Sequence, residues 1–419
     1  MSSIKRSYFN KTNIKNGLII AILLSLVPYL EYFSFSNKYL NSLLGLLAIY
    51  ALLSLKKRAD YFYTGFFVGI LWFYWISFSL VYYKLGYLIP FEILGLGIIY
   101  GLLFFLCGFF SNVFYKAFAF LLLSSFGPFG FDWFKFEVLF ANSIFNIHKI
   151  YMILLVLILA CIIFLKNNKN LNYIKTLSLI LLLCLSFCIN FTGQKKINTK
   201  MKISLPSYHI NQAQKWKPNF LEKSKQINYE NIEQAIKKHY DLVVLPETAF
   251  SIILNTSTQD LLRLKQLSNK INIITGALSE QNGRFYNSLY LFQKGIVKIA
   301  NKVVLVPFGE EVPLPKFARN FINKIFFDGA SDYASAKKPS TFKINGTSFR
   351  VAICYEATNK ILYQNLKSTK HFIALSNDAW FTPSIMPTLQ KLLLLYYAKR
   401  YDIKIFHEIN GSKSYILSP

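Results

Sequence analysis

The stretch Val351-Ala-Ile-Cys354-Tyr-Glu356 is an apolar run that ends in polar residues. Such a run predicts a buried β-strand followed by a turn, with Cys354 at the end of the strand. The other cysteines all lie inside long apolar stretches of the sequence: Cys107, Cys161, Cys184 and Cys188. Cys354 is therefore a candidate nucleophile, and the alternative interpretation is a small buried apolar side chain.

The apolar residues of the chain are concentrated in its first half. The 419 residues are 53% hydrophobic and 17% aromatic, which is too apolar for an ordinary soluble protein. Long runs of Leu, Ile and Phe fill residues 1–193, whereas residues 194–419 have the composition of a globular domain. We therefore predict a transmembrane domain over 1–193 and a globular catalytic domain over 194–419.

Seven apolar segments are candidate membrane spans: 17–35, 39–55, 61–83, 87–110, 114–131, 150–165 and 176–193. Several are close to the roughly 20 residues that a helix needs to cross a bilayer. The segments at 39–55, 114–131 and 150–165 are shorter, and a re-entrant or interfacial position is the alternative for them. Glu31 and Glu92 are the acidic residues near span ends, and without an inverted repeat they do not indicate a transporter or channel.

The charges of the loops predict the orientation of the chain. Basic residues cluster before the first span and after the second, where Lys56, Lys57 and Arg58 follow one another. The positive-inside rule then places the N-terminus in the cytoplasm, and seven crossings bring residue 194 to the other side. In a bacterium we expect a multi-pass protein of the inner (cytoplasmic) membrane with a periplasmic catalytic domain. A lone thiol in that oxidising compartment is a liability unless its reactivity is used.

The chain is strongly basic, with a formal net charge of +27. Residues 1–193 hold 15 basic and 5 acidic residues (+10), and the remainder holds 32 and 15 (+17). The richness in Lys, Asn, Ile and Phe extends over the whole chain, and no Arg-rich or aromatic-interleaved binding motif accompanies the charge. The charge therefore favours a membrane surface as partner and not a nucleic acid.

Helical and extended patterns alternate in the second half of the sequence, which predicts an α/β or layered α+β domain. Helices are expected over 219–239, 258–269 and 388–401. Strands are expected near 201–208, 241–247, 271–278, 286–292, 295–301, 348–354, 371–377, 403–409 and 413–417.

Two further polar sites adjoin predicted strands and complement a thiol. Glu247 ends Asp241-Leu-Val-Val-Leu-Pro-Glu247, and Lys302 opens Asn301-Lys-Val-Val-Leu-Val-Pro-Phe-Gly-Glu310. A carboxylate can serve as the base that a thiol needs, and an ammonium can lower the thiol pKa and hold an oxyanion. The five histidines lack a motif-like setting, and no Cys/His pair has zinc-ligand spacing. We therefore predict no metal and no cofactor, since a glycine-rich phosphate loop is also missing.

These blocks resemble the Glu-Lys-Cys signature of the nitrilase superfamily and, more narrowly, bacterial apolipoprotein N-acyltransferases. The resemblance rests on Leu245-Pro-Glu-Thr-Ala249, on Lys302 with Val306-Pro-Phe-Gly-Glu310, and on Cys354-Tyr-Glu356. Asn211-Gln-Ala-Gln-Lys-Trp216 and Ser376-Asn-Asp-Ala-Trp-Phe381 match further blocks of that family. A multi-span first half followed by a nitrilase-like domain also matches its organisation.

The resemblance implies an αββα sandwich that transfers an acyl chain from a phospholipid to the α-amine of diacylglyceryl-cysteine in an apolipoprotein. It implies that Cys354 is a nucleophile forming a thioester acyl-enzyme, that Glu247 is the general base and that Lys302 stabilises the oxyanion. The family's other functional positions fall on two carboxylates and two aromatic residues near the substrate entrance: Glu310, Glu356, Tyr355 and Trp216. Such a covalent intermediate allows one pocket to handle donor and acceptor in turn, in a ping-pong scheme.

Two other functions remain open at this point. A membrane-tethered amide hydrolase or carbamoylase of the same superfamily would pass the acyl group to water, and a non-catalytic membrane assembly protein or receptor would carry a degenerate domain.

The apolar segment 321–327 is a candidate membrane-dipping arm or ordinary core. The sequence departs from the family at Ala379 and Thr382, where Thr and Gly are common, and longer members continue past Pro419 into a final span.

Overall fold

The computed structural model describes residues 10–166, 180–181, 183–190, 197–317, 319 and 332–419. The chain divides into two compact units. The first comprises Met1–Pro128, Asp132–Gly193 and Pro383–Tyr396, and the second comprises Phe129–Phe131, Gln194–Thr382 and Tyr397–Pro419. The segment 321–327, predicted as a membrane-dipping arm or core, lies outside the described residues.

The first unit is built from apolar helices. They are α1 (Lys11–Tyr32), α2 (Lys38–Leu53), α3 (Arg58–Phe73), α4 (Ile89–Cys107), α5 (Val113–Leu123) and α6 (Lys149–Lys166). A 3-10 helix, Tyr74–Val81, continues α3, and another, Gly86–Leu88, precedes α4. Within the described ranges, four helical segments are long and apolar enough to cross a membrane: Lys11–Tyr32, Arg58–Val81, Gly86–Cys107 and Lys149–Lys166. This confirms the predicted helical membrane domain.

Six of the predicted spans each overlap one of these helices, but the fifth was predicted too long. Helix α5 ends at Leu123, whereas the predicted span continued to residue 131. A 3-10 turn at Pro128–Gly130 interrupts the apolar run, with Phe129 at φ 53°. The seventh predicted span, 176–193, is described only at 180–181 and 183–190, so the total of seven crossings stays a prediction.

The Glu31 carboxylate is hydrogen-bonded to two asparagines of the first unit. Its Oε1 accepts hydrogen bonds from Asn41 Nδ2 at 3.1 Å and from Asn142 Nδ2 at 2.8 Å. Polar groups within apolar surroundings are expected to be hydrogen-bonded in this way. The carboxylate therefore links α2 to the segment before α6.

The second unit contains two mixed β-sheets. The strands of the first sheet are β1 (Ile203–Ser204), β2 (Leu242–Val244), β3 (Phe250–Ile253), β4 (Asn272–Gln281), β5 (Arg284–Gln293) and β6 (Ile296–Asn301). Their order is β1-β2-β4-β5-β6, and β3 pairs with β4. The second sheet has the order β11-β10-β9-β8-β7, from β7 (Thr341–Ile344), β8 (Thr347–Ile353), β9 (His371–Asn377), β10 (Lys404–Asn410) and β11 (Tyr415–Leu417).

The two sheets pack face to face with helical layers outside them. Val244 and Leu289 of the first sheet share one apolar core with Val351 and Ile373 of the second. The helices of the first half of this unit are α7 (Gln212–Lys215), α8 (Pro218–Lys237) and α9 (Thr258–Leu267), and α8 and α9 cover the other face of the first sheet. The last helix of the chain is α10 (Met386–Tyr401), and its end belongs to the second unit, where Tyr397 stacks on Tyr363 at 4.3 Å between ring centroids. The predicted α/β fold is confirmed.

The fold brings the ends of several strands together at one edge of the second unit. Strands β8 and β9 run parallel, with Ile353 opposite Leu375, so the residues after them emerge side by side. Strand β2 is parallel to β4 in the facing sheet and leads to Glu247. Because parallel strands present their carboxyl ends at the same edge, this edge is where polar side chains can converge.

Gly276 on β4 allows the main chain after β2 to pass closely over the sheet. A Cβ atom at this position would lie 2.5 Å from Thr248 N and 2.8 Å from Glu247 Cα. These neighbours are backbone atoms, which cannot move aside as the end of a flexible side chain can. The position therefore requires glycine because of close approach and not because of its φ angle.

We expect Gly276→Ala to lower the free energy of unfolding by roughly 1–3 kcal/mol, the usual cost of overpacking. Thermal unfolding of the detergent-solubilised protein measures this change. The matched control is Gly95→Ala in α4, where a Cβ would have no atom within 4 Å. The control should stay within about 1 kcal/mol of the wild type because Ala is a better helix former than Gly. Equal stability of Gly276→Ala and the wild type would contradict the close approach.

Candidate active site

Glu247 lies on a tight turn three residues after the end of β2. Thr248, the next residue, has φ 45°, a left-handed conformation that is unusual for a β-branched side chain. The Glu247 side chain is 8% exposed, and its Oε1 accepts a hydrogen bond from Asn287 Nδ2 at 2.8 Å. The turn thus holds a nearly buried carboxylate at the edge where the strands end.

Lys302 follows β6 directly and is completely buried. Its Nζ lies 2.7 Å from Glu310 Oε2 and 4.0 Å from Glu247 Oε1. Burial alone lowers the pKa of this ammonium, but the Glu310 and Glu247 carboxylates outweigh it and hold the pKa above its usual value. Lys302 is therefore a permanently charged group between two carboxylates.

Asn287 on β5 connects the two carboxylates. Its Nδ2 donates to Glu247 Oε1 at 2.8 Å and to Glu310 Oε1 at 2.9 Å. Glu310 Oε2 also accepts from the main-chain nitrogen of Val306 at 2.9 Å. The sequence analysis missed Asn287 because an amide on a predicted strand does not indicate a function by itself. In the structure it lies on the same face of β5 as Leu289, which packs against the second sheet.

Cys354 follows β8 and opens a 3-10 helix that spans Cys354–Thr358. Its φ of 53° turns the chain sharply, and backbone strain of this kind is concentrated at functional sites. Although the residue keeps some accessible surface, burial raises the pKa of the thiol, Glu247 adds to the increase and Lys302 opposes it. The thiol is therefore protonated at rest and needs a base before it can act as a nucleophile.

Glu356 ties the Cys354 turn to the segment after Lys302. Its Oε1 accepts from Ile353 N at 2.8 Å, and its Oε2 accepts from Val303 N at 2.6 Å and from Val304 N at 3.2 Å. Burial raises the pKa of Glu356 to about 7, against the lowering effect of Lys302 and the main-chain amides. The predicted importance of this residue thus has a structural basis, since it joins the two sheets.

The two aromatic residues predicted near the substrate entrance differ in exposure. Trp216 is 46% exposed, whereas Tyr355 is 4% exposed. The Tyr355 hydroxyl donates to Gly130 O at 2.7 Å, and its ring stacks on Phe131 at 5.7 Å between centroids. Tyr355 is therefore fixed within the second unit, and Trp216 remains available at its surface.

Two more charged residues reach this site, and the sequence analysis assigned them no role. Lys215 is 1% exposed, and its Nζ donates to the main-chain oxygen of Glu247 at 2.9 Å. Asp378 has no accessible surface, its Oδ2 accepts from Ser412 Oγ at 2.7 Å, and its charge raises the pKa of the Cys354 thiol. Both lie in sequence blocks that resemble the family, but neither has a recognisable chemical role in the sequence alone.

The described residues contain no group of three potential metal ligands. His407 is buried, with Nε2 2.7 Å from Ser376 Oγ and Nδ1 2.8 Å from Tyr415 Oη. The charged groups that shift the Cys354 pKa are carboxylates and Lys302, and no histidine is among them. Glu247 therefore stays the predicted partner of the thiol, in preference to a histidine.

Comparison with known proteins identifies the family. A family model described as "Apolipoprotein N-acyltransferase integral membrane domain" matches residues 11–187, and one described as "Carbon-nitrogen hydrolase" matches residues 210–403. The apolipoprotein N-acyltransferase of Wolinella succinogenes is 40% identical over 98% of this chain and 97% of its own length. This chain belongs to the apolipoprotein N-acyltransferase family.

Two further apolipoprotein N-acyltransferases support the assignment. That of Helicobacter pylori is 40% identical over 93% of this chain and 91% of its own length, and that of Campylobacter jejuni is 37% identical over 96% and 88%. The predicted membrane acyltransferase with a nitrilase-superfamily domain is confirmed. The individual roles of Glu247, Lys302 and Cys354 stay predictions.

We expect Asn287→Ala to lower kcat for acyl transfer by roughly 10- to 100-fold. The variant removes two hydrogen bonds to carboxylates, each worth about 1.5–3 kcal/mol, so Glu247 loses its fixed position. Steady-state transfer to a lipopeptide in detergent measures the effect. The control is Asn219→Ala, an exposed position at the start of α8. A kcat for Asn287→Ala equal to that of the control would mean that the amide bridge does not position the base.

Proposed function

We propose that this protein transfers a fatty acyl chain from a membrane phospholipid to the α-amine of diacylglyceryl-cysteine at the N-terminus of an apolipoprotein. The proposal depends chiefly on the convergence of Cys354, Glu247 and Lys302 at the ends of β8, β2 and β6. A protonated thiol, a carboxylate and a permanently charged ammonium are the groups that covalent acyl transfer requires. The family membership of the chain supports the same reaction.

In the first half-reaction Glu247 removes the proton from the Cys354 thiol, and the sulfur attacks the ester carbonyl of the phospholipid. Lys302 stabilises the negative charge that develops on the carbonyl oxygen. The intermediate then collapses, the carbon–oxygen ester bond breaks, and the lysophospholipid oxygen takes the proton from Glu247. The enzyme is left with an acyl thioester on Cys354 and an ionised Glu247.

In the second half-reaction the neutral α-amine of the lipoprotein attacks the thioester carbonyl. Glu247 accepts a proton from the attacking nitrogen and returns it to the sulfur as the carbon–sulfur bond breaks. The products are an N-acylated lipoprotein and the free Cys354 thiol. Each step balances with these residues alone, so we propose that the reaction uses no metal and no cofactor.

Both proposed substrates are anchored in a lipid bilayer, which agrees with the apolar helices of the first unit. We propose that residues 1–193 anchor the protein and that residues 194–419 perform the chemistry. From the loop charges, we further propose the bacterial inner membrane as its location, with the N-terminus in the cytoplasm and the catalytic domain in the periplasm.

The acyl-enzyme gives a direct test of this function. The purified full-length protein is incubated with a phospholipid such as phosphatidylethanolamine, and its mass is measured before and after addition of a diacylated lipopeptide. We expect a gain of one acyl chain on the Cys354 peptide and discharge of that chain onto the lipopeptide amine. Cys354→Ala should show no gain because the nucleophile is missing.

The matched control is Cys107→Ala, which removes a buried cysteine of the first unit and should leave the acylation of Cys354 unchanged. Discharge into water with the lipopeptide ignored would identify an amide hydrolase or a related hydrolase instead. Absence of any adduct, both in detergent and in membranes, would contradict the thioester mechanism and favour a non-catalytic protein.

A further inference from the structure

Lys215 is a second buried ammonium beside the catalytic turn, and the two half-reactions leave it without a role. It is the last residue of α7, and its Nζ donates to the main-chain oxygen of Glu247 at 2.9 Å. Among the described residues, none of the ion pairs includes Lys215. A buried positive charge without a carboxylate partner is costly to maintain, so its presence calls for a counter-charge.

The electrostatics of the site indicate where that counter-charge arises. Burial lowers the pKa of Lys215 to about 8, and the charges of Glu247 and Cys354 act in the opposite direction. Lys302 differs from Lys215 because its ammonium already lies 2.7 Å from Glu310. Lys302 therefore has a direct ion-pair partner before the reaction begins, whereas Lys215 has none among the described residues.

The helix that carries Lys215 is held in place at its start. Asn211 accepts a hydrogen bond from Ala213 N at 2.8 Å and so caps α7. Gln212 Oε1 accepts from Asn377 Nδ2 at 2.7 Å, which joins the helix to the end of β9. The position of the ammonium is thus defined by the same strand ends that define the active site, and a charge fixed in advance needs no reorganisation during the reaction.

We propose that Lys215 is a positioning residue that supplies a second positive charge to the Cys354 thiolate and holds the main chain of Glu247. The inference depends on the proposed function. When the proton moves from Cys354 to Glu247, the S–H electron pair stays on sulfur and the negative charge moves from the carboxylate to the thiolate. Lys215 then stabilises that charge together with Lys302.

The charged groups that shift the pKa of the Cys354 thiol most have to stay unchanged in an experiment on Lys215. They come from different elements of the second unit: Glu247 after β2, Lys302 after β6, Glu310 in the following segment, and Asp378 after β9.

The variant Lys215→Gln separates charge from hydrogen bonding, because a glutamine amide still donates to the Glu247 carbonyl but carries no charge. The rate of Cys354 alkylation by iodoacetamide is followed on the Cys354 peptide from about pH 6 to about pH 7.5 in the full-length protein, where Lys215 still carries its charge. We expect alkylation to be about tenfold slower throughout this range, which corresponds to a rise of about one unit in the thiol pKa. The kcat for acyl-enzyme formation should fall about tenfold, with KM for phospholipid unchanged.

Two other variants serve as controls. Lys217→Gln removes a positive charge from an exposed position two residues further along and should reproduce the wild-type profile. Lys215→Arg keeps the charge, and its alkylation profile should stay within about half a pKa unit of the wild type. If Lys215→Gln does not fold, Lys215→Met takes its place, because it also removes the charge and should show the same slowed alkylation.

An alkylation profile of Lys215→Gln that superimposes on the wild type would overturn the inference, even if the melting temperature falls. A Lys215→Arg profile displaced as far as that of Lys215→Gln would also overturn it, because shape rather than charge would then matter. Failure of the wild-type protein to form an acyl-enzyme is a separate result, which would contradict the proposed function itself.

Discussion

The completely buried ammonium of Lys302 is the constraint on which the rest of the active site depends. Removing such a charge from water costs several kcal/mol, and breaking a buried pair costs about 3–5 kcal/mol, so its partners have to be fixed. Glu310 provides the direct ion pair at 2.7 Å, and Asn287 joins Glu310 to Glu247 through one amide group. The arrangement of β5 and β6 therefore determines where the base can lie.

The turn that carries the thiol follows a strand of the second sheet, and Glu356 connects it to the segment that follows Lys302. Glu356 accepts three main-chain hydrogen bonds, one from the end of β8 and two from the residues after Lys302, so it joins the cysteine turn to the lysine segment. Thr248 and Cys354 both have positive φ values, 45° and 53°. The backbone is thus strained at the residue after the base and at the cysteine itself. The surrounding packing, and not the intrinsic conformational preference of these residues, maintains the geometry of the site.

Much of the fold was predictable because its long elements have clear periodicity. Helix α8 and the β5–β6 hairpin were predicted to within two residues at each end, since an amphipathic pattern and the Lys294-Gly295 turn mark them. The strands β3 and β7 were missed because they are four residues long, and the first predicted strand is reduced to β1. The end of α5 was placed too late because an apolar run does not reveal where helical geometry ends.

The residues of the candidate site that could be predicted are those whose side chains have a recognisable catalytic chemistry. Glu247, Lys302 and Cys354 follow apolar strands, and the structure brings them together. Asn287 and Lys215 were not assigned roles, because an amide and one lysine among many carry no such signal until tertiary contacts are known. Their importance arises from partners distant in sequence, 40 residues for Asn287 and 32 for Lys215 relative to Glu247.

A structure of the wild-type protein after incubation with phospholipid tests the central claim most directly. The account predicts continuous density from Cys354 Sγ into an acyl chain, with the thioester carbonyl oxygen within hydrogen-bonding distance of Lys302 Nζ, at roughly 2.7–3.2 Å. A free Cys354 thiol with the acyl chain bound elsewhere, or a carbonyl oxygen directed away from Lys302, would contradict it.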